Sequence, residues 1–282
     1  MLFGVTTIPV HHGMPVTELG RAVEQAGFES LFFPEHTHIP AEGSALPPSG
    51  RELAEGYRHQ LDPFLALTAV AMATTALKIG TGICLVAQHD PILLAKQVAT
   101  LDVLSRGRFL FGVGGGWNQQ EMRHHGTEPR QRWRLMRERI LAMKRIWTED
   151  EAEFHGSFVD FGPIWCWPKP RQQPHPPVLV GGDGPGTLAR VADYGDGWMP
   201  GGRLAPEPEH LAVRMAELRA LSEDAGRSPI PVTAWAMPAE APLIEQYQKL
   251  GVARCVFRLP TGGSEEILPA LAEYATVAST FS

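Results

Sequence analysis

The feature that most constrains this chain is an alternation running from end to end: short apolar runs are each followed by a longer amphipathic one. The apolar runs are Leu2–Thr6, Ser30–Phe33, Lys78–Ile83, Arg108–Val113, Pro177–Gly181, Gly197–Met199, Pro231–Trp235 and Arg254–Arg258. They are nearly continuous rather than alternating, which suits parallel strands covered on both faces. Between them the spacing predicts helices at Val16–Ala26, Pro63–Thr74, Pro91–Leu104, Arg130–Trp147, Gly186–Tyr194, Glu207–Ala225, Pro242–Leu250 and Glu265–Ala278. In the first of these Val16, Leu19, Val23 and Ala26 recur at helical spacing, and Gly27 supplies the stop. Eight strand–helix units in 282 residues predict one α/β domain, 1–282, folded as a (β/α)8 TIM barrel. A doubly wound sheet is the runner-up. Its fingerprint glycines normally follow the first strand, whereas the first strand here runs into TTIPVHHG.

Two segments exceed ordinary loop length. Glu35–Asp62 follows the second strand, on the side where barrel active sites form, and is read as a lid. Thr148–Pro176 precedes the fifth strand, contains EFHGSFVDF as a short hairpin, and is expected to cross the bottom face. Charges of both signs are dispersed at a net −6, which gives no reason to expect a nucleic-acid or membrane partner. Cys84, Cys166 and Cys255 are too far apart for a zinc spacing and odd in number, so reduced cysteines in a cytoplasmic protein are expected. The N-terminus, MLFGVTTIPV, does not read as a signal peptide.

Residues just past the strands share one mouth in a barrel. FPEH places Glu35 and His36 there, after the second strand. GTGI follows the third, GGGW (Gly114, Gly115, Gly116, Trp117) the fourth, and VGGDGPGT (Gly181, Gly182, Asp183) the fifth. The last run aims free backbone N–H groups and a helix start at one point, an arrangement that suits a phosphate or is a plain βα turn. GGGW either turns the chain or brings backbone close to a ligand. Glu35 and His36 suit a general acid/base pair, since histidine exchanges protons near neutrality, a metal site with His38, or a solvated strand end. Other strand ends carry glycine or Arg258, so no catalytic metal is expected. His11, His12, His124 and His125 read as surface residues, and the cysteines as small buried hydrophobes.

The order FPEH, then LKIGTGICLVAQHDPILLAKQVATLDVLSRGRFLFGVGGGWNQQEM, then PPVLVGGDGPGTLARVADYGDGW resembles the luciferase-like flavin monooxygenase family, and within it the F420-dependent oxidoreductases. The resemblance implies a barrel that binds the deazaflavin F420, or alternatively FMN, at its C-terminal mouth. It implies a non-proline cis bond at Gly82–Ile83 against the ring, Gly114 to Trp117 along the pocket, and Gly181, Gly182 and Asp183 near the ribityl phosphate. His36, with Glu35, would handle a proton; some relatives carry aspartate where this chain has Glu35. Arg203 and Arg258 are candidates for the phosphate or tail. A homodimer acting on a small-molecule substrate is implied. An arginine-rich composition, read as a GC-rich genome, favours F420. The alternatives are an FMN monooxygenase fed by a partner reductase, a non-catalytic flavin-binding protein and a metal-dependent barrel hydrolase.

Overall fold

Apolar runs become strands and amphipathic runs helices throughout the computed structural model, which describes residues 1–41, 55–201 and 207–281. The first half contains β1 (Leu2–Thr6), α1 (Val16–Gln25), β2 (Ser30–Phe33), α2 (Pro63–Ala73), β3 (Lys78–Thr81), α3 (Pro91–Leu104) and β4 (Phe109–Val113). Then come α4 (Gln119–His124), α5 (Arg132–Thr148), β5 (Ala152–His155), β6 (Asp160–Ile164), β7 (Val178–Gly181) and α6 (Thr187–Tyr194). The chain ends with β8 (Gly197–Met199), α7 (Pro208–Asp224), β9 (Thr233–Met237), α8 (Ala241–Leu250), β10 (Arg254–Arg258) and α9 (Ser264–Ser279). Among the described residues, eight parallel strands run in the order β8-β7-β4-β3-β2-β1-β10-β9. A parallel bridge between Trp198 and Val232 brings the two end strands together and nearly closes the ring. This is the expected TIM barrel.

Local signals explain most element starts. Asp62 and Asp90 each precede a proline and cap α2 and α3, accepting from the amides of Leu65 and Leu93. Gly27 closes α1 at φ +84° in open space. The ninth strand starts two residues later than expected, at Thr233, because Pro231 has no N–H to give the sheet and uses its carbonyl to accept from Trp198 instead. EFHGSFVDF forms the predicted hairpin, β5 against β6. The segment behind it does cross the bottom, where Gln172 donates to Asp102 at 2.6 Å and to the Phe109 carbonyl at 2.8 Å.

Two apolar layers hold the fold. Strand residues such as Val5, Leu31, Ile79 and Phe111 are buried together with helix residues such as Val98 and Ile140. Inside the barrel Phe32, Leu110, Leu179, Met199 and Val256 form a second, smaller core, with Ile83 and Trp235 packed against it. Each such side chain fully buried contributes about 1.5–3 kcal/mol.

The N-terminal ends of the strands are tied by polar clamps. Arg254 makes two 2.8 Å bonds to Glu29, which also pairs with Lys78 at 2.9 Å. Glu24 accepts from the amides of Thr75, Ala76 and Leu77, and Arg108 donates to the carbonyls of Ala71, Leu77 and Ser105. Arg227 donates to the carbonyls of Ala192 and Gly195.

Burial alone would raise the carboxyl of Glu29, but bonds and charge from Arg254, with Ser30 and Lys78, bring it from 4.5 down to about 2. A depressed carboxylate stabilises the fold above its unfolded value, and that contribution disappears as pH falls through its folded one. A lowering of this size corresponds to roughly 3 kcal/mol. Urea unfolding is therefore expected to show stability falling between pH 4.5 and about 2. The part of that slope due to this group should vanish in Glu29→Gln, and an unchanged slope would refute the assignment.

Candidate active site

At the C-terminal ends of the strands, the glycines seat the protein's own side chains. A Cβ on Gly114 or Gly181 would lie 2.7 or 2.8 Å from the side chain of Ile83. On Gly82 it would lie 2.0 Å from the Trp235 ring, and on Gly115 2.5 Å from Trp133. Close approach is thus required, but by the core and the walls of the mouth. Half-buried Ile83 and Trp235 form the floor, and the Gly82–Ile83 bond is cis, as the resemblance implied. Backbone bonds knit these strand ends together: Gly82 N–H to Phe33, Cys84 N–H to Gly112, Gly114 N–H to Cys84, and Gly182 N–H to Met199, at 2.7–3.0 Å.

Glu35 and His36 are buried but do not act on each other. Neighbours in an extended segment point opposite ways. Glu35 turns behind the floor, accepting from Leu85 N–H at 2.5 Å and facing His89 Nε2 at 2.8 Å. Burial would raise its carboxyl, but His89, Leu85 and the Cys84 thiol together hold it below the usual value. The His89 imidazole is raised in turn: burial disfavours its charge, and the bond to Glu35 outweighs that. Burial, with Glu35 nearby, pushes the Cys84 thiol well up, which makes it a buried small hydrophobe rather than a nucleophile.

His36 turns the other way. Its Nδ1–H donates to Glu121 at 2.7 Å, and the ring packs edge-on against Tyr57 at 4.9 Å and Trp117 at 5.3 Å. Glu121 is a site residue that neither composition nor spacing singled out. It is fully buried in α4, where Asn118 caps the helix by accepting from Gln120 N–H and Glu121 N–H. Asn followed three residues later by Glu is a helix-start signal, so Asn118 and Glu121 were legible in NQQEM. The second oxygen of Glu121 accepts from Thr37 N–H at 3.0 Å and lies 3.5 Å from its hydroxyl. That hydroxyl is 2.6 Å from His125 Nε2 and 2.9 Å from His38 Nδ1, and His38 Nε2 is 2.8 Å from His124 Nδ1. The contacts form a hydrogen-bonded path from a buried imidazole to exposed ones. Among the described residues His36 Nε2 has no partner, which leaves it the nitrogen free to exchange a proton.

The turn from β7 into α6 is open. Cβ atoms on Gly182 and Gly184 would meet nothing closer than 3.9 Å, and Gly182 stands at φ +108°. The Trp198 indole pins the Gly182 carbonyl at 2.8 Å. The carboxylate of Asp183 is engaged by His210 at 2.9 Å and by Arg214 at 3.2 Å. Arg190 and Arg132 both lie over the Trp133 ring, at 4.0 and 4.8 Å, each with a buried Nε that has no partner among the described residues. Gln88 Oε1 and Asn118 Nδ2 are likewise buried and without a partner among the described residues. Open backbone, a helix start and unsatisfied donors suit a polar ligand with an anionic arm. Arg258, at the end of β10, is exposed. Arg203 and residues 42–54 of the expected lid lie outside the described residues.

A family model described as luciferase-like monooxygenase matches residues 5–242. An uncharacterized protein of Mycobacterium tuberculosis is 35% identical, covering 94% of this chain and 94% of its own. An FMNH(2)-dependent dimethylsulfone monooxygenase of Pseudomonas putida is 39% identical over 45% of this chain and 36% of its own. Among solved structures, an F420-dependent secondary alcohol dehydrogenase in complex with an F420–acetone adduct superimposes with a TM-score of 0.77 at 17% identity, covering 98% of this chain and 97% of that one.

Proposed function

Because this chain belongs to the luciferase-like monooxygenase family, we propose that it is an oxidoreductase dependent on F420, which when bound supplies hydride exchange with a small organic substrate. The observation that carries the reading is the buried His36–Glu121 pair, with Trp117 and Tyr57 packed edge-on against the imidazole. Oxidising an alcohol to a carbonyl releases a proton as well as a hydride. Nε2 of His36 takes that proton, and the buried carboxylate of Glu121 stabilises the imidazolium formed. Thr37 and the imidazoles of His38, His124 and His125 connect the pair to solvent. Glu35 acts as a positioning residue, fixing the segment at Leu85 behind the floor.

The cofactor fits the residues present. Ile83 and Trp235 offer an apolar floor for a flat ring, with Trp117 beside His36. The open turn at Gly182 to Gly184 with the Asp183 amide, together with Arg132 and Arg190, would hold a phosphate, with Gly181 leading into it and the Gly182 amide already bonded to Met199, and Gly114 to Gly116 would line the approach. Pairing with His210 and Arg214 reduces the repulsion that Asp183 would otherwise exert on such an anion.

The second reading, an FMN-dependent monooxygenase, is favoured by the partial match to the Pseudomonas putida enzyme. The F420 reading draws on a likeness spanning nearly all of both chains. Titrating the full chain with F420 and with FMN separates the two readings. Saturable F420 binding is expected, seen in its violet absorption band and fluorescence, with no stoichiometric oxygen uptake on adding reduced FMN. Oxygen consumption with FMN and no F420 binding would replace the first reading by the second.

A further inference from the structure

We propose that His11, His12 and His59 form a binding site for a divalent first-row transition cation of the zinc type, on the barrel rim and apart from the redox chemistry. Two chain segments present these rings. The loop after β1 and the one before α2 meet at an antiparallel bridge between Val10 and Gln60. His11 N–H donates to the His59 carbonyl at 3.2 Å, and Leu61 N–H to that of Pro9 at 2.8 Å. Met14 N–H ties the first loop to Gly262 at 2.9 Å. The backbone that carries the rings is therefore fixed from both sides.

The three imidazoles are clustered. Their centroids lie 4.8, 5.4 and 5.0 Å apart with planes inclined by 82°, 63° and 79°. One nitrogen from each lies within 4.8 Å of the others. Tetrahedral zinc with nitrogen ligands at about 2.0–2.1 Å needs them roughly 3.4 Å apart. Small rotations of His11 and His12, both exposed, close that gap. Glu55 Oε1 stands 3.3 Å from His59 Nε2, the carboxylate partner that usually orients a ligating imidazole, and leaves Nδ1 for the cation. A donor set of imidazoles selects zinc, nickel, cobalt or copper over magnesium or calcium. The other histidine cluster, His38, His124 and His125, has four of its six ring nitrogens engaged with one another or with Thr37.

Occupancy would have a local consequence. Tyr57, two residues before His59, packs on His36, and Gln60 donates to the Pro34 carbonyl next to Glu35. A cation would fasten this segment to the loop after β1 and stiffen one wall of the mouth.

The test is a titration of tag-free, chelator-treated full chain with Co2+ and then Zn2+. One equivalent is expected to bind, giving a visible cobalt absorption band that zinc displaces. His12→Gln and His59→Gln should each weaken binding at least about tenfold, while His124→Gln leaves it unchanged. Circular dichroism and the melting temperature of the metal-free variants check the fold, and His11→Gln serves as a further ligand deletion should one variant misfold. Absence of saturable binding, or binding equal in wild type and the folded ligand variants, would overturn the site. Neither result depends on whether F420 binds.

Discussion

Replacing His36 with alanine is expected to lower F420-linked turnover by about 10²- to 10⁴-fold, the usual contribution of a positioned general acid or base. Cofactor affinity should stay within a few-fold, because the substituted ring contributes a wall and a proton acceptor rather than the floor. The mechanism of the loss is specific. Nδ1–H is committed to Glu121 at 2.7 Å, so only Nε2 can receive the substrate proton. Removing the ring also leaves Glu121 buried with one oxygen facing Thr37 and the other unpaired. Glu121→Gln keeps the shape of that contact and removes its charge, so it should cost less than His36→Ala. Steady-state turnover and fluorescence titration of the same preparations measure both effects, and added imidazole should partly restore His36→Ala. Undiminished turnover in that variant would remove His36 from the proton transfer. Bound cofactor with no turnover in wild type would favour a non-catalytic flavin carrier.

The second large effect concerns stability. Gly112→Ala is expected to destabilise the fold by about 3 kcal/mol or more, above most single substitutions. A Cβ at Gly112 would stand 2.0 Å from the carbonyl oxygen of Thr81, in backbone that cannot rotate out of the way. The Gly112 carbonyl itself accepts from Cys84 N–H and from the Thr81 hydroxyl, both at 2.7 Å. A shift of either strand therefore breaks the bonds that carry the chain from β3 into the rim. Gly126→Ala is the comparison, since Gly126 has φ +74° and open space around its missing Cβ. Its cost should be nearer 1 kcal/mol, from backbone conformation alone. Urea unfolding of both variants measures the difference, and equal losses would show that crowding at Gly112 is relieved by relaxation.

The barrel was legible because parallel strands buried on both sides leave long apolar runs that polar loops interrupt. Asp62-Pro63 and Asp90-Pro91 marked two helix starts. The site was less legible, for reasons that differ by residue. Glu35 and His36 are adjacent in sequence and were read as a pair, but alternation along an extended segment sends one behind the floor and the other into the mouth. Glu121 was legible in NQQEM as part of a helix start but not as a partner of His36, which lies 85 positions away. The demand for bare backbone at Gly82, Gly114, Gly115 and Gly181 was visible. What meets it was not, since Ile83, Trp133 and Trp235 reach those glycines only through the closed topology.

The polar clamps of Glu24, Glu29, Arg108, Arg227 and Arg254 all grip the end of the barrel opposite the mouth. Anchorage and the proposed chemistry are thereby kept at opposite poles. Loops over the rim can be lengthened, shortened or swapped for those of a relative without loosening the base that registers the strands. A graft confined to residues 42–54, which spares Glu35, His36, Tyr57 and the bridge of Val10 to Gln60, is therefore expected to leave the strand register undisturbed.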